Sequence, residues 1–211
     1  RALKESDAYP AMAERGYGWE KLISEMFCQE YWAERQMKTA IARFHNVYGP
    51  NGTWDGGREK APAALSRKVI EAKESGDLNI TIWGDGSQTR SFMYIDDCVK
   101  GIDMIMHFDA LVATPINLGS SFLVSINDLV SMIEDIAGIK LERHYDLSAP
   151  KGVAGRNSDN TFIKEVLGWE PSLPLRDGME KTFNWIEEQY AYRQAGNYTA
   201  AGGSTALPGS H

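Results

Sequence analysis

The sequence predicts an α/β fold, and three observations predict it. Short apolar stretches of strand length alternate with helix-period patterns along most of the chain. The strands run into loops rich in Gly, Pro and Asn rather than tight two-residue hairpins, as in "HNVYGPNG". No fixed-period repeat or low-complexity block interrupts the alternation before residue 195.

Residues 17 to 37 form a long helical pattern, with Leu22, Ile23, Met26, Phe27 and Cys28 placing apolar groups on more than one face. A strand over 39–44 follows and opens into a loop marked by Tyr48-Gly49-Pro50 and Asn51-Gly52. In parallel α/β sheets, ligands bind beyond such carboxyl ends of strands. A helix over 62–75 starts at Pro62, where a missing N–H costs little. Next come a strand over 79–83, a Gly-Asp-Gly turn, a second short strand, and a helix expected to be capped by Asp96 or Asp97. A strand over 115–118 and a helix capped near Ser125 repeat the scheme. The last helix, about 174–192, sets Met179, Phe183, Ile186 and Tyr190 on one side. Residues 195–211 lack periodicity and read as a flexible tail.

The chain has 211 residues, enough for one large domain or two small ones with a substantial core. No apolar run approaches the ~20 residues of a membrane-spanning helix, so no membrane association is expected. A formal net charge of −7 argues against nucleic acid as a partner, while leaving room for a local basic pocket. The two cysteines, Cys28 and Cys98, have no metal-ligand spacing and read as helical core positions. No metal is expected, and a reducing cytoplasm suits the composition. The chain begins at Arg1 and reads as a portion of something longer.

Tyr17 and Lys21 are four residues apart on a predicted helix, so they share a face. A phenol is a poor base at neutral pH unless a neighbouring cation favours its ionised form, and Lys21 could be that cation. The alternative is a surface tyrosine beside a solvated lysine.

Four stretches in order, "YGWEK", "RFHNVYGP", "WGDGSQTRSFMYIDDC" and "LGWEP" before an amphipathic helix, resemble the second half of the extended short-chain dehydrogenase/reductases, the NAD-dependent nucleotide-sugar epimerases and dehydratases. "LKESDAYPA", "GTWDGGREKAPAA" and "GRNSDN" are similar to the GDP-mannose 3,5-epimerases within it. The resemblance covers about residues 2–190. It implies the C-terminal part of a doubly wound Rossmann-like sheet with an interleaved smaller substrate-binding lobe. Residues 1–46 and 91–119 would belong to the Rossmann-like part, 47–90 and 120–175 to the lobe, and 176–194 to a C-terminal helix. It also implies NAD as cofactor, a nucleotide sugar (GDP-mannose) as substrate, and a homodimer when full length.

By the same carry-over, Tyr17 would take the C4 hydroxyl proton during transient oxidation of the sugar, with Lys21 lowering its pKa and reaching the nicotinamide ribose. Lys60 would exchange protons at C3 and C5, which requires a lowered pKa, and Glu59 would help position the sugar. The other reading of Lys60 is a solvated loop lysine. Asn46 would bond the sugar or its phosphate, Lys68, Arg90 and Arg156 would balance the diphosphate, and Gln88 would contact the nucleotide. Trp83 reads as a core aromatic at a strand end, and His45 as a hydrogen-bonded loop histidine. The glycine-rich turn that holds a dinucleotide pyrophosphate has no counterpart here, since the glycines of "YGPNGTWDGG" have the wrong spacing. The chain alone is therefore expected neither to bind NAD tightly nor to turn over. The alternatives are a non-catalytic nucleotide-sugar-binding fragment, or a 4-epimerase, 4,6-dehydratase or decarboxylase.

Overall fold

The computed structural model describes residues 1–13, 15–149 and 155–196, so most of the expected tail lies outside the described residues. The fold is α/β. Its elements run α1 (Tyr17–Arg35), β1 (Ile41–Phe44), β2 (Val47–Tyr48), α2 (Ala61–Ser75), β3 (Asn79–Trp83), β4 (Thr89–Arg90), β5 (Met93–Tyr94), α3 (Ile95–Met106), β6 (Pro115–Leu118), β7 (Val124–Ser125), α4 (Ile126–Ala137), β8 (Glu142–Asp146), α5 (Thr161–Leu167) and α6 (Leu175–Gln194).

The strands pair two by two: β1 with β6, β2 with β5 and β3 with β8 in parallel, and β4 with β7 antiparallel. In β3 the alternation is literal, with Ile80 and Ile82 buried between exposed neighbours. That inner face, the apolar sides of α2 and α4, and Met179, Phe183 and Ile186 of α6 enclose one core. The β1–β6 pair builds a second core with α3 and α5, from Ile105, Ile116, Leu118 and Ile163. Ile95, at the start of α3, packs against both.

Local chemistry sets the helix ends. Ser125 Oγ accepts the Asp128 N–H at 3.0 Å, capping α4 as its sequence position suggested. Gly76, Gly138 and Gly168 close α2, α4 and α5 in left-handed conformation. Asp96 and Asp97 do not cap α3: the N-cap is Tyr94, which makes no side-chain bond there. Asp97 Oδ2 instead accepts the backbone N–H groups of Ser172 and Leu173, each at 2.8 Å, so it ties the chain before α6 to α3.

α1 differs most from expectation, because none of its residues is buried. Cys28 is half-buried rather than a core residue, while Cys98 is buried as expected. Polar contacts attach the helix: Glu25 receives a bidentate bond from Arg43 of β1 at 2.6 and 2.8 Å, and Thr39 donates to the Cys28 carbonyl. β8 and α5 are additions. "ERHYD" is too polar to read as a strand, and α5 is too short to show a period.

Two stability predictions follow from this packing. Phe183→Ala should cost about 3–5 kcal/mol in urea unfolding, whereas Met106→Ala, exposed at the end of α3, should stay within about 0.5 kcal/mol. Glu134 is buried in α4. Burial pushes its carboxyl up, but Arg143 Nη2 at 2.8 Å, the Leu141 N–H and Lys140 outweigh that and hold it below the usual range. A carboxyl depressed by folding stabilises above its unfolded pKa, about 4.3, and that stability is lost as pH falls through the lower folded value. Glu134→Gln should therefore flatten the acid limb of a stability–pH curve below about pH 4.3.

Candidate active site

A cleft of about 530 Å³ lies against α2, β3 and β4. Leu65, Ile82, Phe92 and Ile126 give it apolar lining from three elements and the segment before β5. Asn46, Glu59, Lys60, Lys68, Gln88 and Arg90 line it as well, so six residues singled out from the sequence converge on one space.

Each is placed by its own element. Asn46 sits between β1 and β2, where its carbonyl accepts the Met93 N–H and its side-chain amide donates to the Ser91 carbonyl at 3.1 Å. Lys60 is the N-cap residue of α2. Lys68 lies two turns further on, with Nζ 3.1 Å from the Thr81 carbonyl. Gln88 donates from Nε2 to the Trp83 carbonyl at 2.8 Å, and Arg90 from Nη1 to the Thr89 carbonyl at 2.6 Å. Burial, and then the Arg67 guanidinium, hold the Lys68 amine below its ordinary value against the opposing pull of Glu71 and Glu59. Burial pushes the Glu59 carboxyl up, but backbone amides and Arg67 outweigh it and leave the group below the usual range.

Trp83 is not a core aromatic: it is 61% exposed and lines the cleft, because β3 turns its odd-numbered positions outward. The sequence reading also missed Arg67, whose cleft-facing position depends on a salt-bridge cluster with Asp55 and Glu59. Only its i,i+4 pair with Glu71 was legible. His45 is half-buried; burial depresses its imidazole, opposed by a bond with Asn117 and by Glu5.

Tyr17, Lys21 and Arg156 do not line the cleft. Tyr17 is 68% exposed on α1. Lys21 shares its face, with Nζ 5.2 Å from the Tyr17 ring centroid, but bonds Glu20 at 3.0 Å, a contact that raises its pKa. Arg156 is exposed on a segment held by backbone bonds from Leu3 to Asn157 and from Asp159 to Leu3.

The described residues do not fit a whole dinucleotide. The glycines that follow β2 and β6 serve close packing: a Cβ on Gly49 would collide with Ile95, and one on Gly119 with His45. Neither leaves a backbone cradle for a pyrophosphate.

Solved structures similar to this chain include sugar-nucleotide epimerases. UDP-glucose 4-epimerase of Thermotoga maritima with UDP-glucose is 27% identical with TM-score 0.73, over 82% of this chain and 54% of that one. UDP-glucuronic acid 4-epimerase of Bacillus cereus in complex with NAD is 29% identical with TM-score 0.69, over 87% and 52%. Residues 3–119 match the NAD dependent epimerase/dehydratase family, and the chain belongs to that family. Among curated relatives, GDP-mannose 3,5-epimerase of Arabidopsis thaliana is 45% identical over 210 residues, 99% of this chain and 54% of the relative. GDP-mannose 3,5-epimerase 1 of Oryza sativa subsp. indica is 46% identical over 188 residues, 89% and 48%. The chain spans about half the length of these relatives.

The lysines should titrate in a definite order. In an NMR pH titration of the lysine Nζ groups, Lys68 should titrate below the ordinary lysine value and Lys140 and Lys164 above it, the last two being paired with carboxylates. Arg67→Gln should move Lys68 upward.

Proposed function

We propose that this chain supplies the substrate-binding part of a nucleotide-sugar 3,5-epimerase whose substrate is GDP-mannose. The observation that supports it is the convergence of Asn46, Glu59, Lys60, Lys68, Gln88 and Arg90, from four separate stretches of sequence, on one cleft. The relatives named GDP-mannose 3,5-epimerase, at 45% and 46% identity, favour that substrate over the sugars of more distant relatives.

In this reading Lys68 and Arg90 bring positive charge to the diphosphate, and Gln88 contacts the nucleotide at the rim, where Trp83 offers an exposed ring. Arg156 approaches the diphosphate from outside the cleft. Asn46 bonds the sugar, Glu59 helps position it, and Lys60 holds and returns the protons at C3 and C5. Lys60 is placed for that task as the exposed N-cap residue of α2 lining the cleft, with no hydrogen bond or ion pair to its ammonium among the described residues. Tyr17 and Lys21 act at C4 from the face of α1 that they share.

The chain by itself binds nucleotide sugar without turning it over, since its described residues do not compose a dinucleotide site. The exposed apolar side of α1, with Phe27 61% and Tyr31 53% exposed, is where two copies pair. Two free cysteines suit a cytoplasmic setting. No helix among the described residues is long and apolar enough to cross a membrane.

Isothermal titration calorimetry of the chain tests the proposal. GDP-mannose should bind, GDP should compete, and NAD alone should give no tight binding. Arg90→Ala should weaken GDP-mannose about tenfold or more, the scale of a lost charge-assisted contact. Heat from UDP-glucose but none from GDP-mannose would sink the substrate assignment.

A further inference from the structure

Arg67, on the cleft wall, meets three carboxylates. Its Nη1 lies 2.8 and 3.0 Å from the two oxygens of Glu71, its Nη2 3.0 Å from Glu59 Oε1, and its Nε 3.6 Å from Asp55 Oδ1. Glu71 belongs to the same helix one turn on. Asp55 and Glu59 do not: they sit on the segment between β2 and α2, where residues 49–60 form no regular element.

That segment takes its course from side chains rather than from a backbone ladder. Gly56 and Gly57 both have positive φ and open space around them, which leaves the backbone many paths. Arg193, at the end of α6, holds Asp55 and lies over the Trp54 ring, 4.9 Å from its centroid. Arg67 holds the other end, one residue before Lys60.

Glu59 lines the cleft but is largely withdrawn into its wall. Its side chain is 6% exposed: Arg67 holds Oε1, the backbone amides of Gly57 and Glu59 also act on the carboxylate, and Oε2 is buried with no hydrogen-bond partner among the described residues. A carboxylate buried beside a fork-shaped guanidinium loses much if the fork is removed. Lys60, by contrast, is exposed and lines the cleft.

We infer that Arg67 is a positioning residue and that Glu59 acts through it: the Arg67–Glu59 pair fixes residues 55–60 so that Lys60 stays in the cleft. The inference rests on the nucleotide-sugar reading of the cleft. Lysine cannot take the place of Arg67, because a single ammonium lacks the planar fork that reaches Glu59 and Glu71 together.

A double-mutant cycle on the full chain tests it, read by hydrogen–deuterium exchange and by GDP-mannose calorimetry with Arg67→Gln, Glu59→Gln and the double variant. Exchange over residues 54–60 should rise about tenfold in each single variant and no further in the double, with α4 unchanged. GDP-mannose affinity should fall about tenfold in each, again with no further loss in the double. Arg67→Lys guards against simple unfolding: it should keep the urea midpoint near that of the parent and still bind weakly. Unchanged exchange over 54–60 in Arg67→Gln would overturn the inference. So would losses of affinity that add in the double variant, or full affinity in Arg67→Lys. If the parent chain binds no GDP-mannose, the sugar-nucleotide reading falls, and exchange over 54–60 alone still decides whether the pair fixes the segment.

Discussion

The cleft depends on α2 being held from behind. One face of this helix, with Leu65, Val69 and Ile70, is buried against α4 and α6. Positions between and beside them, Ala61, Ala64, Arg67 and Lys68, line the cleft. Burying each large side chain contributes roughly 1.5–3 kcal/mol, whereas an exposed ion pair contributes about 0–1 kcal/mol. Apolar packing therefore decides where the wall stands. The charges on it decide what it can hold, and small residues at 61 and 64 leave room for a ligand.

Much of this was legible wherever the apolar period was strong. The alternation of β3 and the i, i+3, i+4 pattern of α4 and α6 belong to elements with one face in a core, so sequence and burial agree. The period fails where another force places the element. β8 is held by its parallel register with β3, Asn79 opposite Glu142 through Trp83 opposite Asp146, and its own residues are mostly polar. Asp97 looked like a helix cap because it stands in a first turn, yet its oxygen is claimed by backbone amides 75 and 76 residues away. The cleft residues were legible by resemblance rather than by period. Trp83 was misjudged because a strand end says nothing about which face meets solvent, and Arg67 stayed hidden because its carboxylate partners come from a folded loop.

An acidic protein with a basic cleft is not a contradiction. The net charge is −7, yet the carboxylates nearest the cleft lysines are drawn into pairs: Glu59 and Glu71 with Arg67, and Asp55 with Arg193 and Arg67. Their fields are partly cancelled where they stand, which leaves Lys60 and Lys68 able to present positive charge to an anion. A point charge counts within a Debye length, about 8 Å at physiological salt, so this local arrangement governs binding more than the total does.

The groups proposed for proton exchange and those proposed for C4 are carried by different cores. Lys60 and Lys68 belong to the wall set by α2, α4 and α6, while Tyr17 and Lys21 ride on α1, which is fastened to the β1 side through Arg43–Glu25 and Thr39. Three features join the two among the described residues: Ile95 packs into both cores, β2 and β5 pair Val47 with Met93, and Asp97 ties α3 to the approach of α6. Asn46 stands at this junction, its carbonyl bonded to Met93 and its side-chain amide to Ser91. Both bonds go to residues 91–93, the stretch whose Phe92 packs into one core and whose Met93 packs into the other, so Asn46 is fixed to the seam itself. That makes the seam, rather than either core, the place where the relative position of the two sets of groups is fixed.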